Sequence, residues 1–462
     1  MQLRLRTTKM KAFLNRSFSG ESMDYRQMLA LFIPILIDQA FIFGLSLINT
    51  AMISSSGVAA VSAVNMVDSL SIFLINVFAA VATGGTVVVA QYKGRGNNQM
   101  VARAAAGSIA SVTLLSIAIA LLVVGLHNPI LRVLFGSASF DVMEKASVYL
   151  IGSSISFIGL AVVQAVCGAL RGMGKSRASM FLSLIMNLSY VVLNVLFITF
   201  LHMGVMGMTV ALNIARFAGA ACALYYLFKV DESMHLRIRD LFQVSMTMLR
   251  KIMFIGLPFA AEQMFFNGGK LLTQIFIVGL GTYAIATNAI ASSLASVLQI
   301  PASALSLTIV TVVGQCIGGG NLEDAKKFIK SFLWLGSVFL TLTTLLLMPF
   351  FVPLVGIFNP PAEIVDDIFW VILLNAIAQI PLWPLSFILP SALRAAGDSR
   401  FTSISSMLSM WLFRVIFGYI LGITLGMGIL GVWLAMCCEW GVRGIIFLLR
   451  FRGDKWYRHK LI

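Results

Sequence analysis

An acid follows a proline by four residues in the apolar stretch Gly256-Leu257-Pro258-Phe259-Ala260-Ala261-Glu262-Gln263-Met264-Phe265-Phe266-Asn267-Gly268. The same design occurs earlier, in the stretch Pro34-Ile35-Leu36-Ile37-Asp38-Gln39-Ala40-Phe41-Ile42-Phe43-Gly44. Both stretches read Pro-x-x-x-acid-Gln-x-Phe-x-x-Gly, and the second proline follows the first by 224 residues (258 − 34). This spacing predicts a chain built from two copies of one module, each carrying one acid at the same place.

The composition indicates a membrane protein. The chain has 462 residues, of which 59% are hydrophobic and 11% are charged, whereas a soluble domain has about 25% charged residues. Apolar runs of about 20 residues, long enough to cross a bilayer as helices, recur along the whole length. We therefore expect an all-α polytopic membrane protein. The net charge of +15 then reflects basic loops on one side of the membrane rather than binding of nucleic acid.

Twelve apolar segments can be counted, and we expect each to be one transmembrane helix. Their approximate bounds are 28–52, 58–90, 102–126, 142–168, 178–200, 205–228, 247–279, 283–316, 328–352, 366–392, 402–423 and 427–449. The predicted organisation is a cytoplasmic N-terminal segment 1–27, an N-lobe 28–228 with helices 1–6, a cytoplasmic linker 229–246, a C-lobe 247–449 with helices 7–12, and a cytoplasmic tail 450–462.

Basic residues are concentrated in alternate connections. Lysine and arginine follow every second apolar segment, whereas connections such as Leu201–Gly204 and Gly279–Thr282 contain neither. Because basic loops stay on the cytoplasmic side, both termini are predicted to be cytoplasmic, in a multi-pass protein of the plasma or inner membrane. The loop near Arg132 and Lys145 departs from this pattern.

The internal repeat extends well beyond the two acids. At the 224-residue spacing Gly57 matches Gly281, Ser69 matches Ser293, Gln91 matches Gln315, Asn97 matches Asn321 and Pro129 matches Pro353, and at 223 Ala169-Leu170-Arg171 matches Ala392-Leu393-Arg394. Six segments in each half keep the same orientation, which predicts two pseudo-symmetric six-helix lobes related by an axis along the membrane normal. Transporters with such parallel repeats bind substrate between the halves, near the midplane.

Asp38 and Glu262 are the first candidates for a functional role. Inserting a charged side chain at mid-bilayer costs about 2.5–3.5 kcal/mol on insertion scales, so such a residue usually has a function. We interpret the two acids as ion or proton carriers facing an internal cavity, with Glu262 as the main coupling group. Gln39 and Gln263 beside them are candidate substrate or ion contacts. The alternative is a structural hydrogen bond to a neighbouring helix or to backbone freed by the proline.

Four more charged residues lie inside apolar segments. We treat Lys270 with Asp68, and Arg414 with Glu439, as candidate charge pairs between helices, in which fixed scaffolding and gating are about equally supported.

The chain contains no complete motif for ATP binding, metal binding or catalysis. Gly174-Lys175-Ser176 imitates the end of a phosphate-binding loop, but Ala169 stands where its first glycine belongs. The four histidines lie in or near loops and form no cluster, so we expect neither a metal site nor an enzyme. We expect no cofactor, and transport driven by an ion gradient or by none.

With the repeat established, the chain resembles the multidrug and toxic compound extrusion (MATE) family over nearly its whole length. The resemblance rests on Ile33-Pro34…Asp38-Gln39, Ala59-Ala60-Val61-Ser62, Ala82-Thr83-Gly84-Gly85…Val88-Val89-Ala90-Gln91-Tyr92-Lys93-Gly94, Ala169-Leu170-Arg171-Gly172-x-Gly174, Gly256-Leu257-Pro258, Val312-Val313-Gly314-Gln315 and Ala392-Leu393-Arg394-Ala395-Ala396-Gly397-Asp398. It implies two six-helix lobes around a central cavity, and antiport of H+ or Na+ against amphipathic, mostly cationic drugs.

The chain departs from the family pattern where many members carry acids. It has Asn49 where the first helix usually has an acid, and the fifth helix offers Asn194 instead of an acid. A Phe-Phe pair in the seventh helix is followed by Asn267, where many members have a glutamate. The family's sodium sites cannot be carried over, so these three asparagines stay candidate ion or substrate ligands, and H+ and Na+ both stay open.

The leading hypothesis is a secondary multidrug antiporter that acts as a monomer among membrane lipids and exports small amphipathic cations. The alternative is a flippase-type carrier of a lipid-linked or polyisoprenoid precursor with a related two-lobe fold. A basic cavity would favour the flippase, whereas acids in both lobes favour cationic cargo.

Overall fold

A computed structural model describes residues 15–54, 56–136, 139–231, 236–459 and 461–462, apart from the side chains of residues 46, 47, 49–54, 58 and 135. The described chain is helical and contains no strand. Its long helices are α1 Tyr25–Ser54, α2 Val58–Gly94, α3 Asn98–Gly125, α4 Phe140–Gly172, α5 Ser176–Phe200, α6 Gly204–Val230, α7 Met246–Gly279, α8 Thr282–Gly318, α9 Leu322–Gly356, α10 Ala362–Ala395, α11 Ser399–Thr424 and α12 Gly428–Arg452.

Each predicted apolar segment corresponds to one of these helices. Eleven of them are long and apolar enough to cross a membrane. The remaining helix, α7, has 34 residues and carries Glu262 and Lys270 within its length. The predicted all-helical, multi-pass membrane fold is thus confirmed. The loop near Arg132 that departs from the charge pattern contains a short helix of its own, His127–Phe135.

The internal repeat is visible in the turns between helices. Gly57 and Gly281 precede α2 and α8 with φ angles of 96° and 104°, a left-handed region that side chains with a Cβ rarely adopt. At the start of α3 and α9, the side chains of Asn97 and Asn321 each accept a hydrogen bond from the backbone N–H three residues on. Such asparagine caps satisfy donors that a helix leaves free at its first turn. Equivalent residues thus make equivalent turns in both halves.

The chain divides into two compact units. One, here called the N-unit, is Ile33–Ala260; the other, the C-unit, comprises the described residues up to Phe32 together with Ala261–Ile462. The divisions fall inside α1 and α7, close to Pro34 and Pro258, and not in the loops at the ends of the predicted lobes 28–228 and 247–449. Both helices thus contribute residues to two units, and each division lies within three residues of a proline.

The contacts within each unit explain this division. At the start of α1, the ring of Phe32 stacks on that of Phe339 with centroids 5.5 Å apart, so this end belongs to the C-unit. In the part of α7 before the division, a Cβ built on Gly256 would lie only 2.9 Å from the Cα of Val81, so this backbone packs tightly against α2 in the N-unit. Close approach of helix backbones through glycine is typical of membrane proteins.

Candidate functional site

The N-unit contains a cavity of about 340 Å³ whose polar lining includes Asp68, Tyr149, Tyr190 and Arg216. Asp68 is half-buried and accepts a hydrogen bond of 3.0 Å from the hydroxyl of Tyr149. The guanidinium of Arg216 donates to the Ser156 hydroxyl at 2.7 Å. One acid and one base on the same wall leave this cavity without a net formal charge.

The C-unit contains a larger cavity of about 510 Å³, within the range of 300–1,000 Å³ that small-molecule sites occupy. Lys270 and Arg414 are the charged residues on its lining, and the other polar lining groups are amides and hydroxyls. Tryptophan and phenylalanine side chains supply much of the apolar surface, including Trp383 and Phe387, whose rings stack with centroids 4.7 Å apart. This cavity combines positive charge with aromatic walls.

Three cations surround one ring of this cavity. The Phe266 centroid lies 4.9 Å from Lys270 Nζ, 5.6 Å from Arg414 Cζ and 5.9 Å from Arg443 Cζ. Their counter-charge is the fully buried Glu439, whose Oε1 lies 3.0 Å from Arg443 and whose Oε2 lies 3.8 Å from Arg414. The predicted Arg414–Glu439 pair is therefore present, and Arg443, one helical turn after Glu439, joins it.

The other suggested pair does not appear in this cluster. In the C-unit, Lys270 lies over the ring of Phe266 and interacts electrostatically with Arg414 and Glu439. Asp68 belongs to the N-unit, where its partner is Tyr149.

Glu262 is buried with only 7% of its surface exposed, and it has charged and polar partners. Arg394 Nη2 lies 3.1 Å from Glu262 Oε2, and Ser403 Oγ donates to the same oxygen at 3.0 Å. Arg394 comes from the last turn of α10 and Ser403 from α11. The negative charge of Glu262 is thus compensated inside the C-unit.

Asp38 occupies the corresponding position in the N-unit and has corresponding partners. Arg171 interacts with its carboxylate electrostatically, and Ser183 supplies a hydrogen bond. Arg171 matches Arg394 in the repeat, and Ser183 matches Ser406, one turn from Ser403. Asp38 is 5% exposed, and its Oδ1 finds no hydrogen-bond donor among the described residues. The two acids therefore share a design but differ in how fully their charge is compensated.

The remaining predicted site residues are dispersed. Gln39 and Gln263 are half-buried beside the two acids, and the Asn267 amide donates to the backbone carbonyl of Gln263 at 2.8 Å, as a bond within α7. Asn194 is completely buried and hydrogen-bonded to Tyr190, which lines the N-unit cavity. Asn49 lies in α1, but its side chain is outside the described residues. Within the described residues, no group of three His, Cys, Asp or Glu side chains is placed to hold a metal ion.

Sequence reasoning missed Arg394 and Arg443. A signal for Arg394 was present, because Ala-Leu-Arg occurs in both halves of the repeat at Arg171 and Arg394. A residue repeated together with the two acids is a natural candidate for their partner. Arg443 lies four residues after Glu439 on α12, a spacing that favours an ion pair.

Curated relatives cover almost the whole chain. An uncharacterized transporter, YisQ of Bacillus subtilis (strain 168), is 27% identical over 458 residues, covering 98% of this chain and 97% of the relative. The probable multidrug resistance protein NorM of Thermotoga maritima is 26% identical over 427 residues, covering 91% and 90%.

Solved structures show the same fold. A crystal structure of MATE in complex with MaL6 superposes with a TM-score of 0.85 at 20% identity, covering 92% of this chain and 95% of the other. The outward-facing conformation of a multidrug resistance MATE family transporter gives a TM-score of 0.84 at 19% identity, with 92% and 94% covered.

The family model MatE matches the chain twice, over residues 34–196 and 258–420. The two matches begin at Pro34 and Pro258 and are offset by 224 residues, which is the spacing of the internal repeat. Together they span well over half of the chain, so this protein belongs to the MatE family, the multidrug and toxic compound extrusion transporters.

Proposed function

We propose that this protein is a secondary active exporter that exchanges amphipathic small molecules, cationic drugs among them, for H+ or Na+. Membership of the family and the names of relatives such as the Thermotoga maritima NorM support drug efflux. The N-unit cavity has the carboxylate of Asp68 on its wall, and we assign the binding of an amphipathic cation within this unit to that cavity.

The observation that carries the proposal is the incompletely satisfied carboxylate of Asp38 in a membrane-spanning helix. An anionic oxygen without a donor in an apolar surrounding has a strong tendency to bind a cation or a proton. Glu262 Oε2 already accepts hydrogen bonds from Arg394 and Ser403, so a coupling ion at this carboxylate competes with a guanidinium that compensates its charge. We therefore assign the coupling role first to Asp38 and give Glu262 a secondary role.

Arg171 makes this assignment compatible with a cycle. A carboxylate close to an arginine can alternate between pairing with the guanidinium and binding H+ or Na+. Because α1 contains Pro34 one turn before Asp38, and proline removes one helix hydrogen bond, the helix can bend at this place. Ion binding at Asp38 could thus favour one conformation of α1 over another.

The test uses purified protein in liposomes and fluorescence of ethidium, with Na+ and proton gradients imposed separately. The wild type should accumulate ethidium under one of the two gradients. Asp38→Asn should lower gradient-driven uptake to the level without a gradient, while exchange of ethidium in the absence of a gradient persists. Asp366→Asn, which changes an exposed acid at the start of α10, is the matched control.

Gradient-driven uptake by Asp38→Asn at the wild-type rate would remove Asp38 from the coupling role. Absence of uptake by the wild type under both gradients, in liposomes where each gradient is verified, would contradict ion-coupled export of this cation.

A carrier of a lipid-linked precursor is the second candidate, and the basic C-unit cavity favours it. Such precursors carry phosphate groups on a long apolar chain, which would suit Lys270 and Arg414. Uptake of ethidium without any effect of an added polyprenyl phosphate would count against this alternative.

A further inference from the structure

The C-unit cavity is positively charged, whereas a site that binds cationic drugs is expected to be negative or neutral. Both charged residues on its lining, Lys270 and Arg414, are positive. Behind the wall, Arg443 and Glu439 lie 3.0 Å apart and cancel each other's formal charge. The cluster of three cations and one carboxylate therefore presents two positive charges in excess to the cavity.

These charges are held in place by the surrounding helices. Glu439 and Arg443 are 0% and 2% exposed, and Arg443 Cζ lies 4.4 Å from the centroid of Phe387. Arg414 is anchored on one side by Glu439 at 3.8 Å, while Lys270, on α7, makes no salt bridge with any described residue. Lys270 is thus the cation most free to contact a bound molecule.

The rest of the lining suits an aromatic molecule with hydrogen-bonding groups. Trp440 Nε1 is buried and finds no acceptor among the described residues. Trp433 Nε1 donates to Asn288 Oδ1 at 3.0 Å, and Asn288 donates in turn to Gln274 at 3.2 Å, so these polar groups are oriented by each other. Aromatic side chains offer flat apolar faces against which a ring can stack.

We propose that the C-unit cavity binds an amphipathic organic anion, a compound with an aromatic body and one carboxylate, sulfonate or phosphate group. Lys270 and Arg414 contact the anionic group, and the aromatic wall around Trp383 and Phe387 contacts the body. The N-unit cavity, whose lining contains both Asp68 and Arg216, lacks this excess of positive charge. That the bound anion is also transported rests on the proposed export function, whereas its binding does not.

The test compares three compounds that share one ring system and differ in charge. Full-length protein is placed in nanodiscs of phosphatidylcholine, and binding of radiolabelled indole-3-acetate is measured at neutral pH. Unlabelled indole-3-acetate, its neutral amide and the cation tryptamine are the competitors. Because a hydrogen bond to a charged group contributes about 1.5–3 kcal/mol, the acid should compete at least about tenfold better than the amide or the amine.

Lys270→Gln should weaken binding of the acid about tenfold or more, since it removes one charge without breaking a salt bridge. Lys270→Arg should retain it. Lys330→Gln, which removes an exposed lysine of the same unit on α9, should bind like the wild type. Arg414→Gln serves as a second variant, with thermal unfolding as a check that it is folded.

Equal competition by the acid, the amide and tryptamine would overturn the proposal, and so would unchanged binding by Lys270→Gln and Lys270→Glu. Nanodiscs that contain phosphatidylglycerol separate two sources of the anionic group. Loss of indole-3-acetate binding in these nanodiscs would support the anion site and identify a lipid headgroup as its occupant. Retained binding would support a soluble anion. Failure of ion-coupled ethidium transport would contradict the proposed export function without changing either binding result. The export proposal and the anion-binding proposal can therefore fail independently.

Discussion

At the scale of single residues, the two repeated acids are held by repeated arginines. Glu262 contacts Arg394 directly, whereas Asp38 interacts electrostatically with Arg171 and keeps one oxygen without a donor among the described residues. Removing one partner of a buried pair leaves the other charge uncompensated, which costs far more than the pair itself contributes. Substitutions of the two acids should therefore have different consequences.

Glu262→Gln should destabilise the protein by about 3–5 kcal/mol, because it leaves the guanidinium of Arg394 buried without its counter-charge. Thermal unfolding of the detergent-solubilised protein should show a lower midpoint. The double variant Glu262→Gln/Arg394→Gln should recover part of the loss, and Glu363→Gln, at an exposed acid of the same unit, should change little. A wild-type midpoint for Glu262→Gln would show that the pair does not stabilise the fold, and would return Glu262 to the role of main coupling group that the sequence favours.

At the scale of helices, packing within the N-unit depends on glycines at close crossings. A Cβ at Gly159 on α4 would lie 2.8 Å from the backbone carbonyl of Arg216 on α6. Arg216 lines the N-unit cavity, so the crossing that brings α4 and α6 together also positions one wall of that cavity. Helix association in membranes depends on such close contact, since lipid is as apolar as the side chains.

Gly159→Ala should force α4 and α6 apart and destabilise the protein by about 1–3 kcal/mol, the usual cost of overpacking. The midpoint of thermal unfolding reports the change. Gly44→Ala on α1 is the matched control, because a Cβ there meets no atom of the described residues within 4 Å. If both variants unfold at the same temperature, the tight crossing is not a determinant of stability.

At the scale of the whole molecule, the distribution of basic residues predicts one orientation in the membrane. We propose that both termini and the linker 229–246 are cytoplasmic, because lysine and arginine follow every second helix. The exposed residues Asn359 and Thr424 then lie outside the cell, while Arg95 and Glu323 lie inside.

Single cysteines tested in a cysteine-free background should confirm this orientation. The native cysteines are Cys167, Cys222, Cys316, Cys437 and Cys438. In intact cells, an impermeant thiol reagent should label Asn359→Cys and Thr424→Cys but not Arg95→Cys or Glu323→Cys, which should react only after permeabilisation. The reverse pattern would invert the topology.

The sequence by itself determined the helical membrane fold and its internal repeat. Both are properties of local composition and of spacing along the chain. Apolar runs define the helices. The 224-residue repeat corresponds to the two matches of the family model and to the paired glycine turns before α2 and α8. It also identified Asp38 and Glu262 as equivalent positions, and Arg414 with Glu439 as a pair.

Only the tertiary structure decided which charges meet. Glu262 and Arg394 are 132 residues apart, and no local pattern shows that the end of α10 packs beside α7. The excess of positive charge in the C-unit cavity likewise depends on bringing α7, α11 and α12 together around Phe266. The sequence shows only how many acids and bases a segment contains. Because electrostatic interaction weakens with distance, the packing of the helices decides which of these charges act on a cavity, and therefore the sign of its net charge.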